Sequence, residues 1–160
     1  MRISVVGAGP AGLLFALLAK RRFPGWVIGV AEQNPPDATF GFGVVFSQGA
    51  LAFLERDAPD LHAALAARMR SWPMQRVVHR DEAIDIDGNG FSAIARLQLI
   101  RFLQELCRAA GVEMRFGRRL ESLPPADLVV GADGLNSFVR GTRGFAPRIE
   151  WLTNRFVWYG

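Results

Sequence analysis

Three glycines and two carboxylates carry the chemistry that the spacing of this chain allows. Residues 2–12 read RISVVGAGPAG, with Gly7, Gly9 and Gly12 in the spacing GxGxxG. Each glycine has its own physical task. Gly7 permits a tight strand-to-helix turn, Gly9 lets a pyrophosphate approach the backbone, and Gly12 lets the helix pack closely on the strand. Pro10 and Ala11 open the helix, where proline's missing N–H is one that has no intrahelical partner anyway. Such a helix turns its free N–H groups and positive dipole end toward an anion. Glu32 closes the apolar run WVIGVAE, roughly twenty residues beyond the last glycine, where a dinucleotide-binding unit places its ribose acceptor. The plainer alternative is a glycine-rich turn with no ligand; the strand before, helix after and acid downstream argue against it. A second cluster, GADG at 131–134, ends another apolar run. There Asp133 is placed to accept from a ribose hydroxyl and Gly134 leaves room for a phosphate, or Asp133 simply caps the next helix.

The elements that must position these residues follow from periodicity. Residues 2–6 read as a parallel strand whose near-continuous apolar character suits burial on both faces. Residues 10–22 read as the crossover helix, Pro24–Gly25 breaks it, and residues 26–31 form the second strand of a right-handed βαβ unit. From Gln33 to Ser47 periodicity stops. The segment NPPDATFGFGVVFS holds three phenylalanines, unusual for a surface loop. It reads as backbone wrapping a flat apolar ligand, with Gly41 and Gly43 allowing close approach, rather than as phenylalanines tucked under the domain. Residues 48–70 predict two short helices interrupted at Ala58–Pro59, and residues 74–80 and 83–87 predict two antiparallel strands. Residues 96–110 form the clearest amphipathic helix, capped by Gly111. Strands follow at 112–116, at 127–131 and at 155–159.

With 160 residues, half of them hydrophobic and 21% charged, the chain has material for one ordinary core and is not a disordered sequence. The net charge of +4 comes from scattered arginines with no basic stripe. Nucleic acid is therefore excluded as a partner in favour of an anionic small molecule. The run LLFALLA is too short to span a bilayer, so no membrane association is expected. The single cysteine, Cys107, permits no internal disulfide, and the N-terminus lacks a signal-peptide pattern; both fit the cytoplasm. Asp85 and Asp87 lack the other ligands of a calcium loop, so no metal is expected. His62, in an alanine-rich helical stretch, reads as a surface residue and His79, on an expected strand, as structural, and no catalytic residue is named.

GAGPAG together with GADGLNSFVR resembles the FAD-binding part of the para-hydroxybenzoate hydroxylase-like (group A) flavin monooxygenases. TFGFGVVFS and NRFVWYG are similar to the branch that holds the salicylyl-CoA and 2-aminobenzoyl-CoA hydroxylases and the violacein-pathway tryptophan hydroxylase-like enzymes. The resemblance implies an α/β, Rossmann-like FAD-binding fold, a parallel sheet with crossover helices and a small antiparallel β insertion, truncated before the full substrate domain. Residues 1–145 would be the incomplete FAD-binding domain and residues 146–160 the start of a substrate domain. Gly7, Gly9, Pro10, Ala11 and Gly12 would cradle the FAD pyrophosphate. Glu32, with Gln33 beside it, would hold the adenosine ribose by a bidentate hydrogen bond. Gly41, Gly43, Val44 and Val45 would lie beside the isoalloxazine ring, Arg96 near the phosphates, and Asp133 and Gly134 at the ribose and pyrophosphate. NADH or NADPH would reduce the flavin, and O₂ would supply the oxygen for a small aromatic substrate. The family's later GD motif is absent, which implies a missing C-terminal portion or a partner chain. An NAD-dependent dehydrogenase and a non-catalytic dinucleotide-binding fragment are the rival readings.

Overall fold

The short run of β-formers at the start of the chain, Ile3 to Val6, becomes one of the two inner strands of a parallel sheet. The structure, a computed structural model, describes residues 1–47, 49–142, 145–155 and 157. In chain order its elements are β1 (Arg2–Val6), α1 (Pro10–Arg22), β2 (Val27–Ala31), β3 (Gly43–Ser47), α2 (Ala52–Asp57), α3 (Pro59–Ala66), β4 (Arg70–Trp72), β5 (Gln75–His79), β6 (Glu82–Ile86), β7 (Phe91–Ala95), α4 (Arg96–Ala109), β8 (Glu113–Arg115), β9 (Leu128–Gly131) and α5 (Phe138–Thr142). They fall into two units, residues 1–39 with 99–160 and residues 40–98.

The first unit holds a four-stranded sheet in the order β8-β2-β1-β9, every neighbouring pair parallel. Ile3, Val5, Ile28 and Val30 are fully buried, with Leu13, Ala16 and Leu17 of α1 and Leu103 of α4 in the same core. Cys107 of α4 is buried too, and its thiol donates to the Leu13 carbonyl at 3.3 Å. Burial pushes this thiol up to about 11, so it stays protonated and serves as a small core residue. Gly111, at φ +81°, takes the left-handed position that ends α4. Phe23 stacks on Trp26 across the turn after α1, and Lys20 Nζ donates to the Pro24 and Trp26 carbonyls there.

The other face of this sheet is less covered than the apolar run of β1 suggested. Arg2, Ser4, Val27, Gly29 and Ala31 line a cleft of about 320 Å³ with Leu120, Pro124 and Pro125. The physical reason lies in residues 116–127, which join β8 to β9 without a helix. An extended strap covers far less area than a crossover helix.

The second unit holds a three-stranded antiparallel sheet, β3-β7-β4, and a separate β5–β6 hairpin with the helices α2 and α3. Its β3 corrects the reading of residues 33–47 as wholly irregular: Gly43 to Ser47 pair in register with Ala95 to Phe91. Phe40 and Phe42 are 75% and 66% exposed, so they are not tucked under the domain. The β5–β6 hairpin turns through Arg80 and Asp81, both at positive φ (50° and 68°), the backbone a tight two-residue turn requires. The strand expected at 155–159 falls mostly on residues outside those described. Among the described residues, no helix is long and apolar enough to cross a membrane.

Candidate functional site

The carboxyl ends of β1, β2 and β9 bring three short backbone segments together in the first unit. A parallel ladder fixes this placement: Val6 pairs with Ala31 on one side and with Gly131 on the other. The glycine turn after β1, Glu32 after β2 and GADG after β9 therefore meet at one sheet edge, where open α/β sheets bind ligands. Backbone bonds continue the ladder into the turns, with Gly7 N–H donating to Ala31 O at 2.8 Å and Ala132 N–H to Val6 O at 2.7 Å.

The three glycines of the first turn differ in what surrounds them. Gly7 sits at φ +103°, and a Cβ there would run into the carbonyl of Ala132. At Gly12 a Cβ would run into the Gly7 carbonyl and approach Ala132 Cβ to 3.1 Å. Gly7 and Gly12 are thus required by protein packing, which interlocks the first glycine turn with the GADG turn. A Cβ at Gly9 would meet nothing within 4 Å. Gly9 is the N-cap of α1, with no side-chain cap and no acidic residue in the first turn. The first intrahelical bond is Leu13 N–H to Gly9 O, leaving the Ala11 and Gly12 N–H groups without a carbonyl in the helix. An open glycine at a helix N-terminus with no side-chain cap and no acid in its first turn fits an anion such as a pyrophosphate.

Glu32 is bound into the same turn. Its Oε2 accepts from Ala8 N–H at 2.8 Å, and its Oε1 accepts from Asn34 N–H at 2.9 Å and Asn34 Nδ2 at 2.7 Å. The strand-end carboxylate is therefore fixed beside the glycine turn. Gln33 is exposed.

Asp133 is occupied by its own loop. Its Oδ1 accepts from Ser137 Oγ at 2.6 Å, and its Oδ2 accepts from the N–H groups of Phe138 and Val139 at 2.6 and 3.1 Å. It thereby caps α5, the plainer of its two expected roles. Partial burial pushes its carboxyl up, but the hydrogen bonds from Ser137, Val139 and Phe138 outweigh this and hold it below the ordinary carboxylate range. Gly134, at φ +77°, has open space around it.

The remaining expected residues belong to the second unit. Gly43, Val44 and Val45 lie on β3, where a Cβ on Gly43 would stand 3.2 Å from the Ile94 carbonyl, so its close approach is to the neighbouring strand. Gly41 sits at φ +92° in open space. Arg96 opens α4; its backbone N–H donates to Phe42 O at 3.2 Å, while its Nε is buried without a partner. An orphaned guanidinium donor fits an anionic group that the described residues do not supply. His62, read from sequence as a surface residue, lines a cleft of about 620 Å³ with Glu55, Trp72 and Phe91. Residues on two helices and two strands meet there, a juxtaposition that no local spacing announces. Among the described residues, no group of acids, histidines and cysteines could hold a metal ion.

A parallel sheet with this order, an open helix N-terminus behind GxGxxG and a second glycine turn locked to it make an α/β, Rossmann-like fold shared with a solved aromatic-ring oxygenase. Among solved structures, a variant of 2-methyl-3-hydroxypyridine-5-carboxylic acid oxygenase is similar with a TM-score of 0.75 at 26% identity, over 89% of this chain and 42% of that one. Salicyloyl-CoA 5-hydroxylase from a Streptomyces species is 41% identical over 165 residues, covering 100% of this chain and 32% of the relative. Protodeoxyviolaceinate monooxygenase from Chromobacterium violaceum is 32% identical over 176 residues, covering 100% of this chain and 45% of the relative. No protein-family model matches. The chain is related over its whole length to hydroxylating monooxygenases of aromatic compounds, and it spans about a third of one of these relatives and just under half of the other. These relatives are monooxygenases, so the NAD-dependent dehydrogenase reading does not fit them.

Proposed function

We propose that this chain is the FAD-holding part of an NAD(P)H- and O₂-dependent hydroxylase acting on an aromatic ring. The observation that carries the proposal is the open backbone cradle at Gly9, on an uncapped helix N-terminus, with the fixed Glu32 carboxylate beside it. In this reading the N–H groups at the start of α1 bind the FAD pyrophosphate and Glu32 accepts from the adenosine ribose. Gly134 leaves space for the phosphates while Asp133 holds its turn rigid through the α5 cap. Arg96 supplies a guanidinium to the phosphates, and Gly41, Gly43, Val44 and Val45 face the flavin ring. When bound, FAD supplies the redox chemistry, taking electrons from NADH or NADPH and activating O₂. The chain's own residues bind, orient and exclude water.

An aromatic acyl-CoA thioester is the substrate class we favour over an indole compound, because the relative named for a CoA thioester has the higher identity, 41% against 32%. Further polypeptide, in the same chain or a partner, is proposed to complete the substrate cavity, with residues 146–160 starting that part. The exposed apolar side chains of Phe145, Ile149, Trp151 and Leu152 support this, since such a run is normally covered. A cytoplasmic site, where NAD(P)H is at hand, belongs to the same proposal. Purified protein is expected to carry flavin absorption near ~370 and ~450 nm, as bound flavin does. A colourless protein that binds NADH but not FAD overturns the reading. One that binds neither supports a non-catalytic fragment.

A further inference from the structure

We propose that Asn34 is a positioning residue that sets the Glu32 carboxylate so that Oε2 alone presents a free acceptor site to the cofactor's ribose. The inference rests on the FAD reading above and deepens it. A carboxylate offers about four acceptor sites, two on each oxygen. Asn34 fills both on Oε1, through its backbone N–H at 2.9 Å and its Nδ2 at 2.7 Å. Ala8 N–H takes one on Oε2 at 2.8 Å, so the open acceptor is the second site on Oε2, beside the glycine turn. The ribose contact then runs through one oxygen of Glu32 in place of the expected bidentate grip.

Asn34 is itself held firmly enough to do this. It precedes Pro35, which restricts its backbone to extended conformations. Its carbonyl accepts from Gly117 N–H at 3.1 Å, tying it to the chain beyond β8. Two residues on, the Pro36 carbonyl accepts from the buried Gln104 Nε2 at 2.9 Å, and Asp37 pairs with Arg101 at 3.0 Å. The segment after β2 is thus pinned to α4 and to the residues after β8. A side chain anchored in this way fixes the Glu32 rotamer before the cofactor arrives, which spares the ordering cost on binding.

The test compares two ligands within each protein: FAD, and an FAD analogue built on 2′,3′-dideoxyadenosine, which lacks both ribose hydroxyls. Wild-type protein is expected to bind the analogue roughly tenfold to hundredfold more weakly, the range for a hydrogen bond to a charged group. In Asn34→Ala that ratio shrinks by about threefold to tenfold, as the carboxylate regains rotamer freedom. Asn34→Asp, isosteric but with an anion facing Glu32, shrinks it at least as far. Asn34→Ser, which keeps a short donor, recovers part of it. A general structural loosening weakens both ligands alike, so an unchanged ratio in Asn34→Ala and Asn34→Asp overturns the proposal. Wild-type protein that binds both ligands equally overturns it as well, while the FAD reading stands. Failure of the wild type to bind FAD at all is seen before any variant is made, and it removes the FAD reading instead.

Discussion

Gly7 and Gly9 stand two residues apart in one motif, yet the structure gives them opposite dependencies. Gly7 at φ +103° faces the Ala132 carbonyl, so Gly7→Ala brings both a strained backbone and a steric overlap. It is expected to cost about 3–5 kcal/mol, read as a collapse of the thermal transition in the absence of any ligand. Gly9 faces open space, so Gly9→Val is expected to change stability by less than about 1 kcal/mol while abolishing FAD binding. Equal thermal midpoints for wild type and Gly9→Val, with unchanged FAD affinity, show that the cradle holds no phosphate. The sequence pattern named the motif but could not separate these roles, because Gly7's constraint comes from a carbonyl 125 residues downstream. Asp133 was legible as a ribose ligand or a cap, and in the structure its carboxylate accepts from Ser137, Phe138 and Val139 at the start of α5, which leaves the ribose role as a proposal. Its carboxyl is held below the ordinary range, so the charged form stabilises the fold fully above the unfolded-state pKa of roughly 3.9. That contribution is lost as pH falls through the lowered folded value. Asp133→Asn is expected to cost about 1–2 kcal/mol at neutral pH. The gap from wild type, measured by urea unfolding, should hold down to about pH 5 and narrow below about pH 4. A gap that widens on acidification contradicts the cap.

At the scale of elements, α4 ties residues 33–37, the segment that follows Glu32, to the core. Gln104 is buried on an otherwise apolar helix face, 4% exposed, and its amide is spent on the Pro36 carbonyl. Gln104→Leu keeps the volume and removes the donor. The Pro36 carbonyl then loses its partner, at an expected cost of about 1–3 kcal/mol. FAD affinity should fall at the same time, because residues 33–37 loosen around Glu32; a loss of stability with unchanged affinity separates packing from binding. The long elements were readable in advance. α1, α4 and the βαβ unit declare themselves through period, breakers and glycine caps that operate within a dozen residues. β3, β4 and β7 do not. The residues of β3 sit inside an aromatic, glycine-rich stretch with little alternation, and β4 has only three residues, Arg70–Trp72. They are strands because β7 hydrogen-bonds to both, and such partners are set by tertiary pairing rather than by local propensity. The sparse cover on one sheet face was also hidden, since a strap and a crossover helix follow equally apolar strands.

For the whole molecule, the ligand that stabilises it identifies the site better than any single residue does. A ligand that binds only the folded state adds RT ln(1 + [L]/Kd), about 2.7 kcal/mol at a concentration of a hundred times Kd. For a chain of 160 residues this corresponds to a rise in the thermal midpoint of roughly 5–10 °C. In the proposed reading, FAD would present a pyrophosphate to the α1 N-terminus and a ribose to Glu32 in one molecule. FMN has the flavin without the adenosine, so at the same concentration it should shift the midpoint by a small part of that amount. NADH carries the same adenosine diphosphate half, yet no part of it matches the flavin-facing residues proposed at Gly41 to Val45. The expected order of midpoint shifts is therefore FAD, then NADH, then FMN, with Gly9→Val erasing the first two together. Equal shifts for FAD and NADH mean that recognition ends at the adenosine diphosphate, leaving the glycine turn and Glu32 as a general dinucleotide cradle. A shift for FMN as large as that for FAD moves the binding energy away from α1 and Glu32 altogether, and with it the reason for the interlocked turns at Gly7 and Ala132.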